Sequence, residues 1–125
     1  MVAAKASPKT GQLTQMRRGT LPFCVLALLV DGERYGFEIV KRLSDTDGMV
    51  TTEGTIYPLL SRLRREGLIE SEWRESPTGP PRRYYQLTPE GRRALADFVG
   101  DWGRFRDAID SLLVAAKELL ARKEG

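Results

Sequence analysis

Three prolines fall within six residues at Ser76-Pro77-Thr78-Gly79-Pro80-Pro81. Each removes a backbone donor and fixes φ, so neither a helix nor a central strand continues through this stretch. The residues on either side alternate. Before it, Ile69, Ser71 and Trp73 fall on one side of an extended chain and Glu70, Glu72 and Arg74 on the other; after it, Tyr85 and Leu87 oppose Tyr84 and Gln86. Alternation on both sides of a segment that can only turn predicts a half-exposed antiparallel hairpin with the proline-rich segment at its tip. Arg82 and Arg83 follow the tip, which places cations beside a rigid loop.

The hairpin follows two helical stretches. In Thr51 to Leu68, Ile56, Leu59, Leu60 and Leu63 recur at three- and four-residue steps and form a stripe that must be buried. Thr52 is the expected N-cap, Gly67 the stop, and Pro58 is tolerated within the first turns or at a bend. The opposite stripe, Gly54, Pro58, Ser61, Arg62 and Arg65, carries no acid. An isolated amphipathic helix with a solvated basic back is the plainer reading of this stretch, and its neighbours reverse it. Tyr35 to Leu43 forms a second amphipathic helix, with Tyr35, Ile39, Val40 and Leu43 inward and Gly36 where another backbone approaches. Lys41 and Arg42 on that helix are either phosphate ligands or solvated charges. Asp31 to Arg34 reads as a turn, and Ser44 to Val50 as a loop turning at Asp47-Gly48. Upstream, Leu21 to Val30 is almost continuously apolar: a first helix buried on most sides, with Thr20 as cap, Pro22 in the first turn and Cys24 as a small core residue. Helix, turn, helix and basic hairpin is the order of a winged helix-turn-helix, a mainly α fold with a small β-hairpin.

Thr88-Pro89-Glu90 opens the last helix with a cap, a first-turn proline and an acid at the positive helix end. Leu95, Phe98, Trp102, Phe105, Ile109, Leu112, Ala116 and Leu119 then follow alternating steps of three and four, the seam of helices packed side by side. Val99, Leu113 and Leu120 broaden it. A chain this short has little left to cover such a seam, so a homodimer is expected, joined by Phe23 and Leu26 of the first helix. Gly100 and Gly103 mark a bend or a close crossing. The expected organisation is an irregular basic arm at 1–12, carrying Lys5 and Lys9, a winged helix-turn-helix at 13–88 and a dimerisation helix at 89–125.

Composition excludes more than it assigns. There is no histidine and a single cysteine, so the commonest general base, a disulfide framework and a cysteine metal site are all missing. No nucleophile–base pair, metal cluster or phosphate loop can be assembled, and the expectation is a non-enzyme without metal or cofactor in a reducing cytoplasm. Arg17-Arg18 before the apolar run imitates a secretory leader, but the run ends in Asp31-Gly32-Glu33 and is about ten residues long, half of what a membrane span needs. The net charge of +3 is mild; its clustering at Arg62, Arg64, Arg65, Arg74, Arg82 and Arg83 is more informative.

The segments Tyr35-Gly36-Phe37-Glu38-Ile39, Glu53-Gly54-Thr55-Ile56-Tyr57-Pro58-Leu59-Leu60, Arg62-Leu63, Gly67-Leu68-Ile69 and Gly79 through Thr88 with Gly91 together resemble the PadR family of transcriptional regulators, from about Gly19 to the last helix. A single C-terminal helix resembles its short-tailed branch. Phe37 stands where that family commonly has tyrosine, and Pro22 where many members lack proline. The resemblance implies a homodimeric repressor that binds a palindromic operator in double-stranded DNA and releases it when a small effector binds. The corresponding groove residues are Thr55, Tyr57, Pro58, Ser61 and Arg62, with Thr52 at the helix start, Lys41, Arg65, Arg82 and Arg83 on the backbone, and Thr78 and Gly79 at the wing tip. In multidrug-responsive relatives a tryptophan on the dimer helix stacks on flat apolar compounds; Trp102, with Phe98, lies at a similar place, although plain interface packing is the simpler reading, since a seam aromatic needs no ligand to explain it. The rival class is a winged-helix adaptor that binds protein rather than DNA, against which the acid-free stripe argues.

Overall fold

Sequestration of the apolar stripes sets the architecture. Ile56, Leu60 and Leu63 of the Thr51 to Leu68 stretch are removed from solvent together with Val25, Leu26 and Leu29 upstream, Ile39, Val40 and Leu43 between, and Ile69 and Tyr85 of the hairpin. In the computed structural model, which describes residues 8–49 and 51–124, with side chains for 14–49 and 51–122, this core is enclosed by seven elements. They are α1 (Pro8–Leu28), β1 (Arg34–Tyr35), α2 (Gly36–Ser44), α3 (Glu53–Arg65), β2 (Ile69–Ser76), β3 (Gly79–Leu87) and α4 (Pro89–Glu124). Four helices and a small antiparallel sheet make the expected winged helix-turn-helix.

The sheet has one strand more than expected. Its order is β1-β3-β2, with Arg34 opposite Tyr85 and Tyr35 opposite Tyr84. A strand of two residues has no period, so Arg34 read as a turn and Tyr35 as helix. Tyr35 instead caps α2, and its amide donates to the Glu38 carboxylate at 3.0 Å. Arg34 closes the end of α1 by donating to the Leu28 carbonyl at 2.7 Å. The faces of β2 and β3 follow the alternation in the sequence, from Ile69 opposite Leu87 to Arg74 opposite Arg82. Beyond that the register shifts so that Ser76 faces Gly79, leaving Pro80 and Pro81 opposite Glu75 alone. The turn is therefore only Pro77-Thr78. The two prolines are accommodated because they bulge from β3 where β1 no longer pairs with it and no amide donor is required.

The first helix also departs from expectation. It begins at Pro8, so residues 8–12 of the expected irregular arm are helical, while residues 1–7, with Lys5, lie outside the described residues, as does the side chain of Lys9. Pro22 sits inside α1, and Thr20 is not its cap: its hydroxyl donates back to the Met16 carbonyl at 3.0 Å. Pro22 has no N–H to offer the Arg18 carbonyl. Packing outweighs that loss, because Leu21 is buried and Arg17 reaches the Gly48 carbonyl at 3.3 Å.

Around Gly67 and Leu68, α3, the sheet and α4 are joined. Gly67 takes φ +78°, its amide donates to the Arg64 carbonyl and that of Leu68 to the Leu63 carbonyl, which closes α3 in a Schellman turn. Thr88 caps α4 as expected, accepting from the Gly91 amide at 3.0 Å, while its hydroxyl donates to the Gly67 carbonyl at 2.7 Å. A Cβ on Gly91 would land on the Leu68 carbonyl oxygen and 2.8 Å from Leu87 Cδ1. The helix then runs unbroken past Gly100 and Gly103, where an added Cβ meets nothing within 4 Å, so neither is a close crossing within the chain. Gly91→Ala is accordingly expected to destabilise by about 2 kcal/mol or more, and Gly100→Ala to stabilise by about 1 kcal/mol. Urea denaturation of both variants checks this, and equal effects would contradict the geometry.

Candidate nucleic-acid interface

With about 100° between successive residues, the buried stripe of α3 turns Gly54, Pro58, Ser61 and Arg65 directly away from the core. Thr55 and Arg62 flank that face toward α1, and Tyr57 and Arg64 flank it toward the sheet. Thr52, Thr55, Pro58, Ser61, Arg62 and Arg65 are all exposed. Thr52 is the N-cap by backbone conformation, at φ −134° and ψ 169°, but its hydroxyl makes no capping bond. Pro58 lies in the second turn of α3 and cannot donate to the Gly54 carbonyl.

Two features of this face do not follow from spacing. The stripe itself carries no acid, as expected, but Glu66, the C-cap one turn on, reaches back to Arg62 at 3.4 Å. Tyr57 is set to one side rather than at the apex. Its ring fills the space above Gly36, where an added Cβ would come 2.7 Å from Tyr57 Cε1, so what approaches Gly36 is this side chain and not a backbone. Burial, then the Glu53 carboxylate, pushes the Tyr57 phenol above the usual tyrosine range.

The wing arginines sit on its stem, not its tip. Arg82 lies over the Tyr35 ring at 4.3 Å and Arg83 over Trp73 at 4.8 Å, on opposite faces of the ribbon. Arg83 is half-buried and donates to Ser71 Oγ at 2.7 Å, which also accepts from Arg64 at 3.2 Å. Guanidinium stacking on aromatic rings holds both heads back, so Thr78 and Gly79 form an exposed, uncharged tip. Arg74, paired with Glu33 and with Glu72, moors the stem to the loop before β1. Lys41 is exposed and paired with Asp45 at 3.3 Å. Tyr35, Phe37, Tyr57, Trp73, Arg82 and Arg83 border a cleft of about 410 Å³ between wing and helices.

A larger groove, about 590 Å³, runs along the other flank of α3. One wall is Thr55, Pro58, Arg62 and Arg65; the other is the middle of α1, with Arg17, Arg18 and Pro22. Sequence reasoning missed this wall because it began the helix at Pro22. The acid-free run from Pro8 to Thr20 was the available signal.

The seam of α4 divides in two. Its first turns pack on α1: Leu95 touches the core, and Phe98 stacks on Phe23 with ring centroids 4.1 Å apart and planes within 2°. Trp102 follows 6.2 Å from Phe98 and Phe105 6.3 Å from Trp102. Beyond Phe98 the seam is bare, with Trp102 40 %, Phe105 60 %, Ile109 39 %, Leu112 72 % and Leu119 58 % exposed, and Ala116 half-buried beside them. Leu26, expected in an interface, is fully buried within the chain and has no surface to give. Phe23 is largely occupied by Phe98. Cys24 is half-buried, and burial pushes its thiol up, as for a packing residue.

A two-helix unit with an exposed basic face and a three-stranded wing beside it define a winged helix-turn-helix regulator. Residues 25–97 match the transcriptional regulator PadR-like family, and the chain belongs to it. It is 35% identical to a Mycobacterium tuberculosis transcriptional regulator over 85 residues, 68% of this chain and 78% of that protein. Among solved structures, a PadR family transcriptional regulator from Eggerthella lenta matches with a TM-score of 0.74 at 37% identity, covering 84% of this chain and 91% of that one. A PadR-like transcriptional regulator from Bacillus cereus matches with a TM-score of 0.73 at 37% identity, covering 80% and 97%. No helix among the described residues is long and apolar enough to cross a membrane.

Tyr85, buried beneath the wing, gives this region a pH signature. Burial pushes its phenol up, against the opposing pull of Arg83 and Arg64. The raised folded-state value means that stability is intact below about pH 10, where tyrosine is neutral in both states. As pH rises further the unfolded chain ionises first and stability is lost. Tyr85→Phe is expected to flatten the fall of the urea midpoint above pH 10; a fall as steep as that of the unsubstituted protein would contradict a phenol held neutral by burial.

Proposed function

We propose that this PadR-like regulator acts as a homodimer, most simply a repressor, that inserts paired α3 helices into successive major grooves of a palindromic operator. The observation that carries this reading is the outward face of α3. Thr55, Pro58, Ser61, Arg62 and Arg65 stand exposed while the opposite stripe is locked into the core, so the helix is rigid and its basic side uncovered. Two such helices must lie about 34 Å apart to meet one strand repeat of the duplex. The exposed half of the α4 seam supports the pairing, because an apolar face of that length in water calls for a cover, and a second copy offers the same face.

Within this reading Ser61 and Arg62, flanked by Thr55 and Tyr57, choose bases, while Arg65, Lys41 and the wing hold phosphates, with Thr78 and Gly79 lying against the backbone. Glu66 holds Arg62 in place until a base edge replaces it. Release comes from a small flat apolar effector at Trp102, whose neighbour Phe98 already stacks on α1. Such a ligand would shift α4 and with it the spacing of the two reading helices.

Arg62→Ala is expected to reduce discrimination between operator and random duplex by about 1–3 kcal/mol, whereas Arg65→Ala weakens both alike. Mobility shifts on an inverted repeat sought upstream of the chain's own gene, set against random duplex, supply the comparison; equal losses for both variants would refute the division of roles. Leu112→Asp, in the bare seam, is expected to leave a folded monomer by sedimentation that no longer prefers the palindrome. A protein that already sediments as a monomer at micromolar concentration would overturn the dimer.

A further inference from the structure

Resting on that reading, we infer that the groove between the middle of α1 and α3 is a second seat for the DNA backbone, with Arg17 and Arg18 as its phosphate ligands. Arg17, Arg18, Arg62 and Arg65 line it together, and no acid does. Only Arg62 has an acidic partner, and among the described residues no ion pair forms at Arg17, Arg18 or Arg65. Four like charges converging on one groove focus a positive potential that an anion relieves. The duplex backbone fits better than any other anion because of where the groove lies. Its far wall is the reading face itself, and a helix seated in a major groove about 12 Å wide has a phosphate strand along each flank. On the sheet side that strand meets the wing; on this side it meets α1.

Arg17 is steadied for the task by its bond to the Gly48 carbonyl, at the turn of the loop between α2 and α3. Leu21 and Pro22 add apolar surface to the same groove. Both arginines precede the stretch matched to the family, which starts at residue 25.

The test is the salt dependence of binding to a labelled duplex of arbitrary sequence, read by fluorescence anisotropy, for the intact protein and for R17Q/R18Q. Loss of two phosphate contacts from each copy, four in the dimer, lowers the slope of log affinity against log salt by about 3.6. R17K/R18K is expected to keep the slope, and R104Q/R106Q, which removes the same charge from α4, to leave it unchanged. Circular dichroism confirms that each variant is folded. If R17Q/R18Q keeps the original slope while the intact protein binds, the groove inference fails and the proposed function stands. If the intact protein shows no salt-dependent binding, both fail. Calorimetry with inorganic pyrophosphate separates the remaining case: heat that R17Q/R18Q abolishes, with an unchanged slope on DNA, makes the groove a small-anion site and overturns the inference.

Discussion

The backbone of Gly67 and Leu68 holds three elements in one relation. The Leu68 amide closes α3 through the Leu63 carbonyl, and its own carbonyl accepts from the Thr88 amide at 3.2 Å where the hairpin returns. Thr88 Oγ joins the Gly67 carbonyl to the first turn of α4. The absence of a side chain at Gly91 lets that turn rest on the Leu68 carbonyl. The end of α3, the root of the wing and the start of α4 are thus fixed over a few bonds. A junction made of backbone groups has discrete geometry and little slack, which is the route by which the proposed effector step would carry a change in the direction of α4 to α3.

Electrostatics on the exposed face are arranged to hold cations back without neutralising them. Arg82 and Arg83 lean on aromatic rings, Arg64 and Arg83 share Ser71, and Arg62 leans on Glu66. Exposed pairs and stacks of this kind contribute only about 0.5–1 kcal/mol each. They restrict rotamers before any ligand arrives, which lowers the ordering cost of recognition, and they are weak enough to be exchanged for a phosphate or a base edge.

How much of this was legible in the residues depended on whether a feature has a period. The faces of α2, α3 and both wing strands, and the Thr88-Pro89 start of α4, follow from spacing and capping chemistry, because three- and four-residue steps and alternation translate directly into buried sides. β1 escaped because two residues cannot show alternation. The reach of α1 was missed because Pro22 has two local meanings, first-turn residue or helix interior, and the choice is made by contacts far away in the chain, Arg17 with Gly48 and Leu21 with the core. The wing tip was overestimated because proline was read only as a breaker, although a strand edge without a partner needs no donor at Pro80 and Pro81. At the interface, composition located the arginines correctly but not their directions: that Arg82 and Arg83 turn back along the stem depends on Tyr35 and Trp73, neighbours supplied by register.

The stacked rings along α4 connect the two ends of the molecule in a way a continuous apolar seam would not. Phe98 spends one face on Phe23 of α1, and Trp102 begins the part that is bare. In the proposed dimer, whatever covers Trp102 therefore presses on a ring already engaged with α1 at Phe23, next in sequence to Pro22 of the arginine groove. Parallel rings 4.1 Å apart slide more readily than they separate, since offset stacking is retained over small shifts while contact is lost steeply on parting. A ligand at Trp102 would then drag α1 along its own axis before it unseated α4. If the groove also holds phosphate, such a displacement moves Arg17 and Arg18 relative to Arg62 and Arg65, and a single small shift weakens the seat on one flank of the reading helix while changing the distance between the two helices.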